Sequence, residues 1–108
     1  MEATNKKKDR AVQQILDVLE TRYKPQHPKA HIESYRYNPT SIRVRIIDPD
    51  FEKKDWIERE EMVWPVLESL PKKIQRDIMI LLLITPKERK MSFGSMEFDA
   101  PTPCPEDA

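Results

Sequence analysis

Seven consecutive apolar residues, Ile78 to Ile84 in "DIMILLLIT", interrupt a chain that is 35% charged. The run is far short of the roughly 20 residues that a membrane-spanning helix needs. It has the length of a buried strand. Strict alternation puts Ile78, Ile80, Leu82 and Ile84 on one side and Met79, Leu81 and Leu83 on the other, so neither side is polar. Such a strand requires cover on both faces, because each large aliphatic side chain left in water forgoes roughly 1.5–3 kcal/mol of burial.

Helices supply cover for one face. Between Asp9 and Tyr23, Val12, Ile15, Leu16 and Leu19 recur at helical spacing, and Pro25 and Pro28 stop that helix. "AHIESYRYN", residues 30–38, reads as a strand ending at the "NPT" turn. "SIRVRII" follows with a period of two: Ile42, Val44 and Ile46 face one way, Ser41, Arg43 and Arg45 the other. Asp55 and Glu58 have capping-box spacing for a second helix with Ile57, Val63, Trp64, Leu67 and Leu70 on its apolar face. Pro65 is expected to kink that helix or end it near Trp64. Trp56 and Trp64, eight residues apart, lie within roughly 80° of each other and read as core, with Trp56 partly exposed.

Pro71 suits the first turn of a short third helix, and Thr85, Pro86 and Glu88 frame a last one. The order is α-β-β-α-α-β-α. A long helical connection between the second and third strands favours a parallel, right-handed crossover. The expected fold is therefore α+β: a two-layer sandwich with a three-stranded mixed sheet and helices on one face. Residues 1–8 read as a flexible N-terminus, 9–90 as one domain, and 91–108 as a flexible acidic tail containing prolines.

Charge and composition narrow the function. Lys and Arg number 19, as do Asp and Glu. All the basic residues and 15 of the 19 acidic ones precede the tail, so residues 1–90 carry a formal +4. The charged start lacks an apolar stretch and the single cysteine, Cys104, rules out an internal disulfide; a cytoplasmic protein without membrane attachment is the expectation. Gly94 is the only glycine, so there is no Gly-rich phosphate loop and no Gly-x-x-Gly nucleic-acid clamp. No serine, threonine or cysteine sits in a nucleophile arrangement with His and Asp, and an enzyme is not expected. His27 and His31 are four apart with Pro28 between them, so they form no helical pair. Asp48, Asp50, Glu52 and Asp55 lack the glycine and spacing of a calcium loop, and capping explains Asp55. The reading is no metal and no cofactor.

"SIRVRIIDPDFEKKDWIEREEMVWPVLESL" followed by "IMILLLITPKE" resembles the BolA-like family, related in fold to the type II KH domain. Phe51, Arg59, Val63, Leu67, Leu70, Thr85, Pro86 and Glu88 fall in step with its pattern of hydrophobic strand, Phe-centred turn, helix, second strand and Thr-Pro-x-Glu ending. The resemblance spans Ser41 to Glu88 and implies the fold above. The family's Arg-His-Arg falls on Arg59, Glu60 and Glu61, and its loop glycine on Lys53 or Lys54. Its third-strand histidine, which in members paired with monothiol glutaredoxins ligates an iron–sulfur cluster, falls at or beside Asp77. Carboxylate oxygen suits such a cluster poorly, so glutaredoxin-linked iron–sulfur handling is the least favoured function.

The favoured expectation is a small non-enzymatic module acting through protein contacts, with a partner protein or as a homodimer. Its candidate interface is the second face of the apolar strand, Met79, Leu81 and Leu83, together with Phe93, Met96 and Phe98 of the tail, which carries these apolar residues in polar surroundings. The tail itself is an alternative cover for that face. A second reading is KH-related single-stranded nucleic-acid binding through Arg43, Arg45, Lys72 and Lys73, set against arginines that merely solvate the outer face of a sheet.

Overall fold

The computed structural model describes residues 9–91 and residue 98. Its elements are α1 (Arg10–Arg22), β1 (His31–Asn38), β2 (Ser41–Ile47), α2 (Trp56–Leu67), α3 (Lys72–Asp77), β3 (Ile78–Ile84) and α4 (Pro86–Met91), with 3-10 turns at Lys24–Gln26 and Pro49–Phe51. The order is the one expected, and it is the order that the BolA-like resemblance implies. Side chains satisfy the open backbone amides at three helix starts. Asp9 accepts from the Val12 amide at 3.2 Å. Asp55 and Glu58 form a reciprocal capping box, each bond 2.8 Å long. Thr85 and Glu88 form a second at 3.0 and 3.1 Å.

One helix boundary differs. α2 continues through Pro65 to Leu67 rather than ending near Trp64. Pro65 sits in the last turn on an exposed surface, so the carbonyl that it leaves without a donor faces water.

The three strands run β1-β2-β3, with β1 antiparallel and β3 parallel to β2. α1 and α2 cover one face. The core there joins Ile15 and Leu19 of α1, Val63 and Leu67 of α2, Ile74 of α3, and Ile42, Val44 and Ile46 of β2. β3 joins them out of simple alternation. Ile78 pairs with Ile42, but Arg43 pairs with Ile80, so Met79 is an extra residue at an irregularity that inverts the strand's phase. Ile78, Leu81 and Leu83 therefore share the core side, and Leu83 is completely buried. The expectation that Met79, Leu81 and Leu83 line one open face is overturned: the bulge leaves Met79 in solvent and turns the other two inward. The face away from the helices carries Ile80, Leu82 and Ile84.

That outer face is not a solvated arginine surface. The pairing sets Tyr35 opposite Arg43 and Glu33 opposite Arg45. Both arginines are buried, Arg45 fully. The Arg43 guanidinium lies 3.7 Å from the Tyr37 ring centre and donates to the Tyr35 hydroxyl at 3.0 Å. Arg45 pairs with Glu33 and lies 4.6 Å from the ring centre of Phe98. Phe98 is itself buried and meets Tyr35 edge-on at 4.9 Å. Stacking on rings and pairing with a carboxylate keep the guanidinium charges satisfied while their stems cover apolar sheet.

Candidate functional site

β3 is one of the sheet's two edge strands, and its two halves are finished differently. At its C-terminal end Arg59 closes the edge. One guanidinium nitrogen donates to the Leu83 carbonyl at 2.9 Å and to Glu88 at 2.7 Å, a second donates to the other Glu88 oxygen at 3.1 Å, and Nε donates to the Lys54 carbonyl at 3.0 Å. The Arg59 guanidinium beside Glu88 holds that carboxyl below the usual glutamate range, against a smaller opposing effect of burial. Phe51 lies beneath Arg59, 5.7 Å from ring centre to guanidinium. The residues that carry the family resemblance, Phe51, Arg59, Thr85 and Glu88, are thus bound to one another as structural fittings.

At its N-terminal end β3 is open among the described residues. Met79 is 64% exposed and Ile80 40%. Beside them on α2 stand Trp56, 48% exposed, and Trp64, which is half-buried against the core. Trp56, Glu60, Trp64 and residues 78–82 line a groove of 530 Å³. A second, of 570 Å³, lies on the other side of Trp56 between Glu52, Leu82, Ile84 and Lys87. Trp56 and Leu82 belong to both, so the two make one strip along the strand's free edge. Sequence reasoning left Trp56 partly exposed, as it is, but placed Ile57 on the apolar face of α2, where it is exposed, and did not connect Trp56 with the strand edge. The eight-residue spacing of the tryptophans was the available signal, and the strand phase that decides its meaning was hidden.

The α2 side of the strip is acidic, while Lys87 stands in its second groove. Along α2, Glu60, Glu61 and Glu68 are exposed and border the strip or the shallow hollow next to it, around Ile57, Trp64 and Pro65. The helix's only basic residue, Arg59, is buried and engaged by Glu88. Where the family pattern has basic or titratable side chains, this surface is acidic.

The remaining candidates are dispersed. Lys72 and Lys73 are exposed at the start of α3, whereas Arg43 and Arg45 are buried on the outer face of β2, so the four do not form one solvent-facing basic patch. Asp77 ends α3 and faces Arg36 at 3.7 Å. Arg36 also binds Asp9, and that hydrogen bond chiefly holds the Asp9 carboxyl below its usual range. Phe98 covers Arg45 and Tyr35 on the outer face; Phe93 and Met96 lie outside the described residues. His31 pairs with Glu33 at 3.2 Å, and His27 meets Asp48 and Asp50. Among the described residues no helix is long and apolar enough to cross a membrane.

No protein-family model matches the chain, and no curated protein matches it. Among solved structures the chain is similar to BolA1 from Arabidopsis thaliana, at 17% sequence identity with a TM-score of 0.47, over 74% of this chain and 96% of that one. The functional reading below is drawn from this chain's own side chains.

Proposed function

We propose that the protein is a small non-enzymatic interaction module that binds an extended protein segment rich in alternating apolar and basic residues along the open edge of β3. The observation that supports this reading is the gathering of exposed Trp56, Met79 and Ile80 beside a strand edge that is unpaired among the described residues, with Glu60 in the groove and Glu61 in the adjoining hollow. An edge strand offers main-chain donors and acceptors to an incoming strand, and pockets beside it select alternate side chains. Tryptophan at such a site is a favourable anchor, since it buries large area at little conformational cost. The acidic border selects basic residues and disfavours a second copy, whose own glutamates would approach these.

Titration of the full chain with two labelled decapeptides, one alternating Val and Lys and one alternating Val and Glu, tests this. The Val/Lys peptide is expected to bind and shift the tryptophan emission, and Ile80→Lys to weaken it by at least about tenfold. Equal binding of the two peptides, or unchanged binding by the variant, overturns the reading. A dimer seen by light scattering that Ile80→Lys dissociates assigns the edge to a second copy instead.

A further inference from the structure

Three side chains far apart in sequence converge where α1's connector meets the end of β2. His27 follows the 3-10 turn after α1, Asp48 follows β2, and Asp50 lies in the turn beyond it. Their ligating atoms all lie within 4.8 Å of one another. Nδ1 of His27 is 2.7 Å from one Asp50 oxygen and 3.6 Å from one Asp48 oxygen. Neighbours at a common first-row metal ion, each bound at about 2.0–2.2 Å, stand roughly 3.0–3.4 Å apart, so small movements bring these atoms to that spacing.

Two features separate this cluster from a chance group of surface acids. Asp48 is completely buried, and among the described residues no Lys or Arg nitrogen lies within 4 Å of it; the nearest ring nitrogen is His27 Nδ1 at 3.6 Å. A buried carboxylate needs a counter-charge. Nδ1 of His27 is within hydrogen-bond distance of Asp50 but stands 3.6 Å from Asp48, whereas one divalent ion between them would engage all three groups. The ligands are also held in place. Tyr23 donates its hydroxyl to Asp48 at 2.7 Å and stacks on the His27 ring at 4.3 Å, and the Asp50 amide donates to the other Asp48 oxygen at 2.9 Å. Such outer hydrogen bonds orient ligands at metal sites.

We infer that His27, Asp48 and Asp50 form a binding site for a divalent first-row transition ion, with Tyr23 as its positioning residue. One imidazole and two carboxylates suit Zn²⁺ more than Mn²⁺, and both more than Mg²⁺, which prefers all-oxygen octahedra and sheds water reluctantly. The open coordination positions take water. The bound ion ties the α1–β1 connector to the end of β2, away from the strip along β3.

Calorimetric titration of the full chain with ZnCl₂, MnCl₂ and MgCl₂ in turn tests the site, with thermal melting as a second readout. One Zn²⁺ per chain is expected, in the order Zn²⁺ over Mn²⁺ over Mg²⁺, with a raised melting temperature. Asp50→Asn and His27→Gln are each expected to weaken Zn²⁺ by at least about tenfold, and Tyr23→Phe by about tenfold. Asp50 is half-exposed, so its variant keeps the test valid if His27→Gln fails to fold. His31→Gln and Cys104→Ser are expected to leave binding intact. Absence of Zn²⁺ binding, or binding unchanged in Asp50→Asn and lost in His31→Gln or Cys104→Ser, overturns the assignment.

Discussion

The two halves of β3 share a composition but not their surroundings. From Leu83 onward neighbouring elements bind the backbone: Arg59 donates to the Leu83 carbonyl, the Asp48 amide donates to that of Ile84, and Glu88 accepts from the Thr85 amide. From Met79 to Leu82 the same aliphatic chemistry borders open grooves. Hydrophobicity alone therefore does not decide burial here. Polar brackets from adjacent elements close one half, and the other is left as a surface on which a partner gains contact area.

The contrast is tested most strongly by truncation on either side of it. Leu83→Ala removes a fully buried side chain from the core and is expected to destabilise the protein by about 2–5 kcal/mol in urea unfolding. Met79→Ala, four residues earlier, is expected to change stability by no more than about 0.5 kcal/mol. Comparable losses at the two positions would mean that β3 is not divided in this way.

Arg59→Met comes next. It leaves the Leu83 and Lys54 carbonyls without their donor and Glu88 without its cation. The expected loss is about 2–3 kcal/mol, below the full value for a buried pair because Glu88 is nearly half exposed. Peptide binding at Met79 and Ile80 is expected to persist in the folded fraction. A variant as stable as the parent would show that Arg59 does not close the strand.

Much of this architecture is legible in sequence because its signals are local. The boxes at Asp55–Glu58 and Thr85–Glu88, the period of two in Ser41–Ile47 and the length of Ile78–Ile84 each depend on residues within one element. What escapes is set between elements. A one-residue bulge at Met79 cannot be read from a run that is apolar in both phases, and it reverses which leucines face the core. Arg43 and Arg45 look like surface residues until Tyr37, Glu33 and Phe98, up to 53 positions away, are seen to enclose them. His27 and Asp48 are separated by a whole hairpin, so their proximity has no spacing signature. Pro65 was expected to stop α2, but a missing amide in a last, solvent-facing turn has little effect.

Acid weakens the closed half by a route with a definite sign. Glu88 has a folded-state pKa below its unfolded one, so its contribution is fully present above the ordinary glutamate value, about 4.3, and is lost as pH falls through the lowered one. Asp9, lowered by Arg36, adds in the same sense. Urea midpoints are expected to hold from pH 7 to about pH 5 and to decline below that. Glu88→Gln should start lower at pH 7 and decline less steeply. An equal slope in parent and variant would remove Glu88 from the bracket.

One expected effect is a gain. Lys53 has φ of 64°, in the left-handed region where a β-carbon is disfavoured by about 1–2 kcal/mol. The turn is retained because the next residue, Lys54, presents its carbonyl to Arg59. The family pattern has glycine at Lys53 or Lys54, and the geometry selects Lys53. Lys53→Gly relieves the strain while giving the unfolded chain more freedom, so a net stabilisation of about 0.5–1 kcal/mol is expected by urea unfolding. Because the turn belongs to the closed half of β3 alone, binding of the Val/Lys peptide at the open half should not change. If Lys53→Gly alters that binding, the two halves are coupled, and the strand is better described as one unit whose closed end positions its open one.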